Sequence, residues 1–160
     1  MAKRLPPDVV LAVAGEPVGR AQYERHLAFH NPKRHGGADK STEPAFKQFV
    51  FDGLLMNTVI RQEARRLGIS VSPQRARALF ERVRQGKGAK ALDEMLGPFT
   101  DQDFTAALVN AELLEKVTAA TRKKGQPEKW LSTGLTRDLP DRWRRQTVCG
   151  QGFHSVACKG

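Results

Sequence analysis

The chain has 160 residues, with 27 Lys and Arg against 17 Asp and Glu, a net charge of +10. That length holds one domain, or one domain with an appendage. A hydrophobic share of 39% beside 28% charged residues excludes a membrane-embedded chain and a low-complexity polymer, and eight Phe with two Trp exclude wholesale disorder. The charge raises nucleic acid as the first partner to weigh.

Residues 1–8 begin with Lys3-Arg4 and continue through Pro6-Pro7 without an apolar h-region. They are expected to be a flexible N-terminus that carries no secretory signal. No apolar run approaches the ~20 residues of a membrane helix. Val9 to Ala14 is a β-branched run that predicts a strand, with a turn at Gly15-Glu16 and a short extended piece at Pro17-Val18. Arg20 to His30 predicts a helix with Tyr23, Leu27 and His30 on one face, and Asn31 to Glu43 a loop.

Pro44 stands as a first-turn proline, and the longest predicted helix runs from there to Leu67, closed by Gly68 with Arg65 and Arg66 in its last turn. Its apolar positions cover well over one face, which implies burial on more than one side. Ser72-Pro73 is an N-cap and first-turn pair for a helix bearing Ala76, Leu79, Phe80 and Val83. Gly86-Lys87-Gly88 breaks it, and a short helix at 89–96 ends at Gly97-Pro98. Thr100 to Asp103 is a capping box with Asp in place of Glu, opening a helix to about Thr121. Residues 122–139 read as a linker, Pro140 to Gln146 as a short helix with Trp143. Thr147 to Cys149 and Phe153 to Cys158 read as two strands of a hairpin joined by a Gly-x-Gly turn. The fold class is therefore mostly α, with a small β element from the N-terminal strand and the C-terminal hairpin, residues 140–160 packing back on the domain of 9–121.

Cys149 and Cys158 are two buried thiols or one disulfide; a terminal segment with little core of its own is where a staple is most needed, which favours the disulfide and an oxidising compartment. His26 and His30 have a metal-compatible i, i+4 spacing but no H-E-x-x-H pattern and no third ligand, so no metal site is expected. No nucleophile elbow, phosphate loop or Cys–His arrangement is present, so neither catalytic residues nor cofactors are expected. Arg75, Arg82, Arg84, Lys87, Lys90, Arg144 and Arg145 form the candidate basic surface. Without a helix-turn-helix, RNP or zinc-finger signal beside them, nucleic-acid binding falls to an alternative. In an envelope compartment the same charge suits anionic lipid headgroups or acidic clients. Phe46, Phe49, Phe51, Leu55 and Met56 exceed what one packing face needs. They mark a helix buried all round, or an apolar groove for extended polypeptides.

The order of elements is specific. Val10 to Val18, then Val59-Ile60-Arg61-Gln62-Glu63-Ala64-Arg65-Arg66-Leu67-Gly68-Ile69-Ser70-Val71-Ser72, then Gly97 to Val117 resemble the N-terminal chaperone domain of the SurA-like family of PrsA- and PpiD-type folding factors. Trp143 to Cys149 with Cys158 is similar to the tail of actinobacterial-type secreted foldases carrying that domain. The likeness covers about 9–121 and 140–158. Members usually hold a parvulin-type prolyl isomerase domain between those two stretches, and the eighteen residues of 122–139 cannot hold one. The resemblance thus implies a non-catalytic extracytoplasmic protein that binds unfolded or partner polypeptides, free or as a fixed subunit of an envelope assembly.

Overall fold

A computed structural model describes residues 4–122, 125 and 128–158. The β-branched run forms β1 (Val9–Val13), which turns at Ala14-Gly15 into β2 (Glu16–Gly19). Both turn residues have positive φ, 48° and 83°, the handedness that a two-residue hairpin needs to match strand twist. The turn thus lies one residue earlier than the Gly15-Glu16 expected, and Glu16 belongs to the strand. β3 (Thr147–Cys149) pairs with the other edge of β1, so the sheet order is β2-β1-β3, antiparallel throughout. A central strand is covered on both faces here, which is why β1 reads as a continuous apolar run rather than an alternating one.

The termini close the fold as expected, but the C-terminal hairpin does not form. After Cys149 the backbone N–H of Gly150 donates to Val10 O at 2.7 Å, and then the chain leaves the sheet. Residues 153–158 make turns instead of a strand, with Phe153 N–H donating to Gly150 O and Cys158 N–H to Ser155 O. Phe153 and Ala157 pack against the core and so draw the segment off the ladder. The approach at Gly150 is close enough that a Cβ would sit 2.6 Å from Val9 O. Gly150→Ala should therefore cost about 2 kcal/mol, since backbone cannot yield as a side chain does; a denaturation midpoint equal to that of the parent protein would refute this.

The helices are α1 (Arg20–His30), α2 (Pro44–Arg66), α3 (Pro73–Lys87), α4 (Ala89–Leu96), α5 (Asp101–Arg122), α6 (Lys129–Thr133) and α7 (Asp141–Arg144), with single 3-10 turns at Pro32–His35 and Thr136–Asp138. The sequence signals act as read. Ser72 Oγ accepts from Arg75 N–H at 3.1 Å, and Thr100 and Asp103 cap one another's backbone N–H groups at 3.0 and 3.1 Å. α2 is the central helix, packed on α1, α5 and the sheet. A second, smaller core of Leu92, Leu96 and Phe99 joins α3 and α4 to Phe29 and Phe104, with Phe29 stacked on Phe99 at 3.7 Å.

Of the expected linker, residues 128–139 are folded, while 123–124 and 126–127 lie outside the described residues. α6 and the 3-10 turn fill 129–138, and Trp130 and Leu139 are buried in the main core. Trp130 and Leu131 share the five-residue α6, whereas Leu135 and Leu139 flank the 3-10 turn, so no single period runs through the stretch. Of the N-terminal stretch, residues 4–8 are placed: Val9 N–H donates to Pro6 O, and the Arg20 guanidinium to Pro7 O at 3.2 and 3.3 Å. Residues 1–3 of that expectation lie outside the described residues.

Candidate functional site

Of the five apolar residues proposed to line a groove, three are core. Phe51 is 2% exposed, Leu55 0% and Met56 7%, all packed in the main cluster, with Phe46 half-buried beside them. α2 is covered on several sides, and that coverage absorbs the excess of apolar residues. Phe49 alone stands out, 69% exposed. Two residues along a helix turn the side chain by about 160° from its neighbour, so with Phe51 inward Phe49 must point out.

Phe49 is not isolated. Among the described residues the other exposed large hydrophobic residues are Leu135, Val148 and Val156. Three of these four, Phe49, Leu135 and Val156, line a single groove of about 390 Å³ whose floor includes Gly53 and Thr136. Three elements meet there. α2 supplies Phe49, Asp52 and Gly53; the turn after α6 supplies Gly134 to Arg137; the disulfide loop supplies Val156. Gly53 leaves the helix surface bare between its larger neighbours. Gly134, in a left-handed cap at φ 64°, ends α6 and turns the chain outward at Leu135. Monomers seldom leave such residues contiguous at their surface without use. Neither Leu135 nor Val156 was singled out from sequence, because each is a lone apolar residue in an irregular segment.

The loop that carries Val156 is held at both ends and in the middle. Cys149 and Cys158 form a disulfide across nine residues, with Cα atoms 5.6 Å apart. Gln48 Nε2 donates to His154 O at 2.8 Å and to Asp52 Oδ1 at 3.0 Å, which ties the loop to α2. Burial raises the Asp52 carboxyl above its ordinary value, opposed by hydrogen bonds from Gln48 and Ser155.

A buried carboxylate anchors the opposite end of this framework. Glu63 on α2 is 0% exposed. Its Oε1 accepts from Arg66 at 2.6 Å and Arg142 at 2.9 Å; its Oε2 accepts from Arg66 at 3.0 Å and from the indole N–H of Trp143 at 2.9 Å. Arg142 also donates to Glu128 at 2.7 Å, and Glu128 accepts from the indole of Trp130 at 3.0 Å. One carboxylate on the central helix thus fixes α7 and, through Glu128, the entry to α6. A second network, Glu16 with Arg61 at 2.8 Å and Gln62 at 2.5 Å, joins the β1–β2 hairpin to α2.

The basic residues divide. Arg75 pairs with Glu112 at 2.7 Å and Arg84 with Glu81 at 3.2 Å, and Arg144 donates to the carbonyls of Leu139 and Arg137. Arg82, Lys87, Lys90 and Arg145 are exposed and form no ion pair among the described residues. His26 lies against the Phe99 ring at 4.6 Å, and burial pushes its pKa down to about 4. Among the described residues no group of three or more His, Cys, Asp or Glu side chains is placed to hold a metal, and no helix is long and apolar enough to cross a membrane.

These features define a helical domain closed by a three-stranded sheet, with an apolar groove beside a disulfide loop. No family model, curated protein or solved structure matches the chain.

Proposed function

We propose that this protein is a non-catalytic, extracytoplasmic polypeptide-binding protein of the SurA N-terminal type, and that it holds apolar client segments in the groove of Phe49, Leu135 and Val156. The observation that carries the reading is the convergence of those three exposed side chains, from distant parts of the chain, on one groove. Burying ~300 Å² of apolar surface at ~25 cal/mol/Å² supplies several kcal/mol before the cost of ordering the client, which suits transient holding of many sequences. The disulfide supports an oxidising compartment. A mostly α architecture whose N- and C-terminal strands meet is compatible with the family likeness, and the folded 128–139 segment supports the loss of the isomerase.

Phe49→Ser tests it. The side chain is mostly in water, so the melting temperature should stay within about 1 °C of the parent value. Suppression of aggregation of an unfolded client should weaken several-fold. A parent protein without effect at any stoichiometry, or a variant as effective as the parent, would sink the proposal. A fixed partner in an envelope assembly would use the same groove, and co-purification at constant stoichiometry distinguishes that form. The alternative of a nucleic-acid binder draws its support from the unpaired Arg82, Lys87, Lys90 and Arg145; it requires an affinity for DNA or RNA that falls steeply with salt.

A further inference from the structure

The disulfide loop also walls a second cavity, unlike the first in chemistry. It measures about 450 Å³, within the range of small-ligand sites. Its floor is aromatic. Phe153 stacks on Phe51 with ring centres 5.3 Å apart and meets Tyr23 edge-on at 5.1 Å, with Leu27 alongside. Its rim is cationic. Arg20, from the first turn of α1, lies over the Phe153 ring at 5.4 Å, and Lys47 of α2 and His154 of the loop stand around the opening. Neither Arg20 nor Lys47 forms an ion pair among the described residues. Among the described residues Glu24 is the single carboxylate that lines the cavity.

An aromatic floor gains from burying an apolar body, and a ring edge or face packs on it directionally. Cations without carboxylate partners gain most from an anion placed where the surrounding surface is already partly desolvated. Arg20 is preset for this: its guanidinium is held by the Pro7 carbonyl and by the Phe153 face, so little freedom is left to lose. We propose that this cavity binds a carboxylate carried on an aromatic or apolar body, with the body on Phe51 and Phe153 and the carboxylate at Arg20 and Lys47. Two sources share that chemistry, the C-terminal residue of a polypeptide and a free aromatic acid. The site is separate from the groove of Phe49. On α2 the two use different positions, 44, 47, 48 and 51 here against 49, 52 and 53 there, with the Gln48–His154 hydrogen bond between.

The test is an amide-resolved NMR titration of the full oxidised chain with N-acetylphenylalanine, its amide, and a tetrapeptide ending in phenylalanine with a free carboxylate. The acid should bind saturably, shifting Gly152, His154 and the Gln48 side-chain amide, and at least about tenfold more tightly than the neutral amide. A tetrapeptide tighter than the single residue identifies the chain terminus as the source; equal affinities identify the free acid. Lys47→Glu should weaken the acid at least about tenfold without lowering the melting temperature, since Lys47 is exposed. Phe49→Ser should leave this binding unchanged, so failure of the client groove and failure of this site are told apart. The proposal is overturned by the absence of saturable binding at millimolar acid, by equal affinity for acid and amide, or by an unchanged affinity in Lys47→Glu.

Discussion

Glu63→Ala should destabilise the fold by about 3 kcal/mol and release the C-terminal segment before the helices melt. The size follows from what stays behind. Without the carboxylate, the Arg142 guanidinium keeps only Glu128 as a charged partner, its Nε already lacks a hydrogen bond, and the buried indole N–H of Trp143 loses its acceptor. Breaking a buried pair by removing one member costs more than the pair is worth. Arg66 is half exposed and screened by water, which keeps the figure at the low end of the range for buried pairs. Both tryptophans of the chain, Trp130 and Trp143, are buried in or beside this network. A red shift in their emission should therefore precede the loss of helical circular dichroism. A cost below about 1 kcal/mol, the scale of a surface pair, would refute the assignment of Glu63 as the anchor.

The same group gives the stability a direction with pH. Burial alone would raise the Glu63 pKa, but hydrogen bonds from Arg66 and Arg142 and their charges outweigh it, and the folded value lies below the ordinary 4.5. Below 4.5 the unfolded chain takes up a proton that the folded chain refuses, so stability is full above that value and is lost as the pH falls through the lowered one. His26 adds to the slope from higher up. Held near 4 by burial, it stays neutral between pH 6.5 and 4 where the unfolded chain is protonated, so stability rises with pH across that window too. In Glu63→Gln the slope below pH 4.5 should flatten while that between 6.5 and 4 remains, as followed by denaturant midpoints across pH.

Much of this architecture is local and was legible for that reason. Caps, first-turn prolines and terminating glycines act over a few residues, so both ends of α2 and the starts of α3 and α5 could be placed from Pro44, Gly68, Ser72 and the Thr100–Asp103 box. The breadth of apolar positions on α2 correctly signalled a helix covered on more than one side. What it could not say was which of Phe46, Phe49 and Phe51 faces water. That depends on the 128–139 and 150–158 segments, and both are placed by contacts across the chain: Trp130 and Leu139 in the core, Phe153 between Tyr23 and Phe51. Glu63 escaped notice for the same reason. A carboxylate in an apolar stretch, with Arg66 one turn on, reads as a surface position until Arg142 and Trp143, about eighty residues onward in the chain, are brought against it. The hairpin expected at the C-terminus failed because two short stretches about a Gly-x-Gly turn do not distinguish a strand from a loop whose apolar residues, Phe153 and Ala157, are pulled inward one at a time.

Cutting the Cys149–Cys158 bond, by reduction or by paired substitution with serine, should cost about 2.5 kcal/mol and weaken binding at both recesses at once. The energy is the closure entropy that a bridge across nine residues removes from the unfolded chain. The functional loss follows from geometry. Gly152, Phe153 and His154 wall the aromatic cavity and Val156 walls the apolar groove, so one loop serves two sites. Ala157 is fully buried and Gln48 still holds the His154 carbonyl, so the loop is expected to loosen rather than leave, and the helical signal should not change. What should change is the binding. Client holding and carboxylate binding should both weaken on adding dithiothreitol and return together on reoxidation, whereas Phe49→Ser affects the first alone and Lys47→Glu the second. Equal denaturation midpoints with and without reductant would show that packing of Phe153 and Ala157 suffices to place the loop. A midpoint that falls while both activities persist would show that neither recess depends on it.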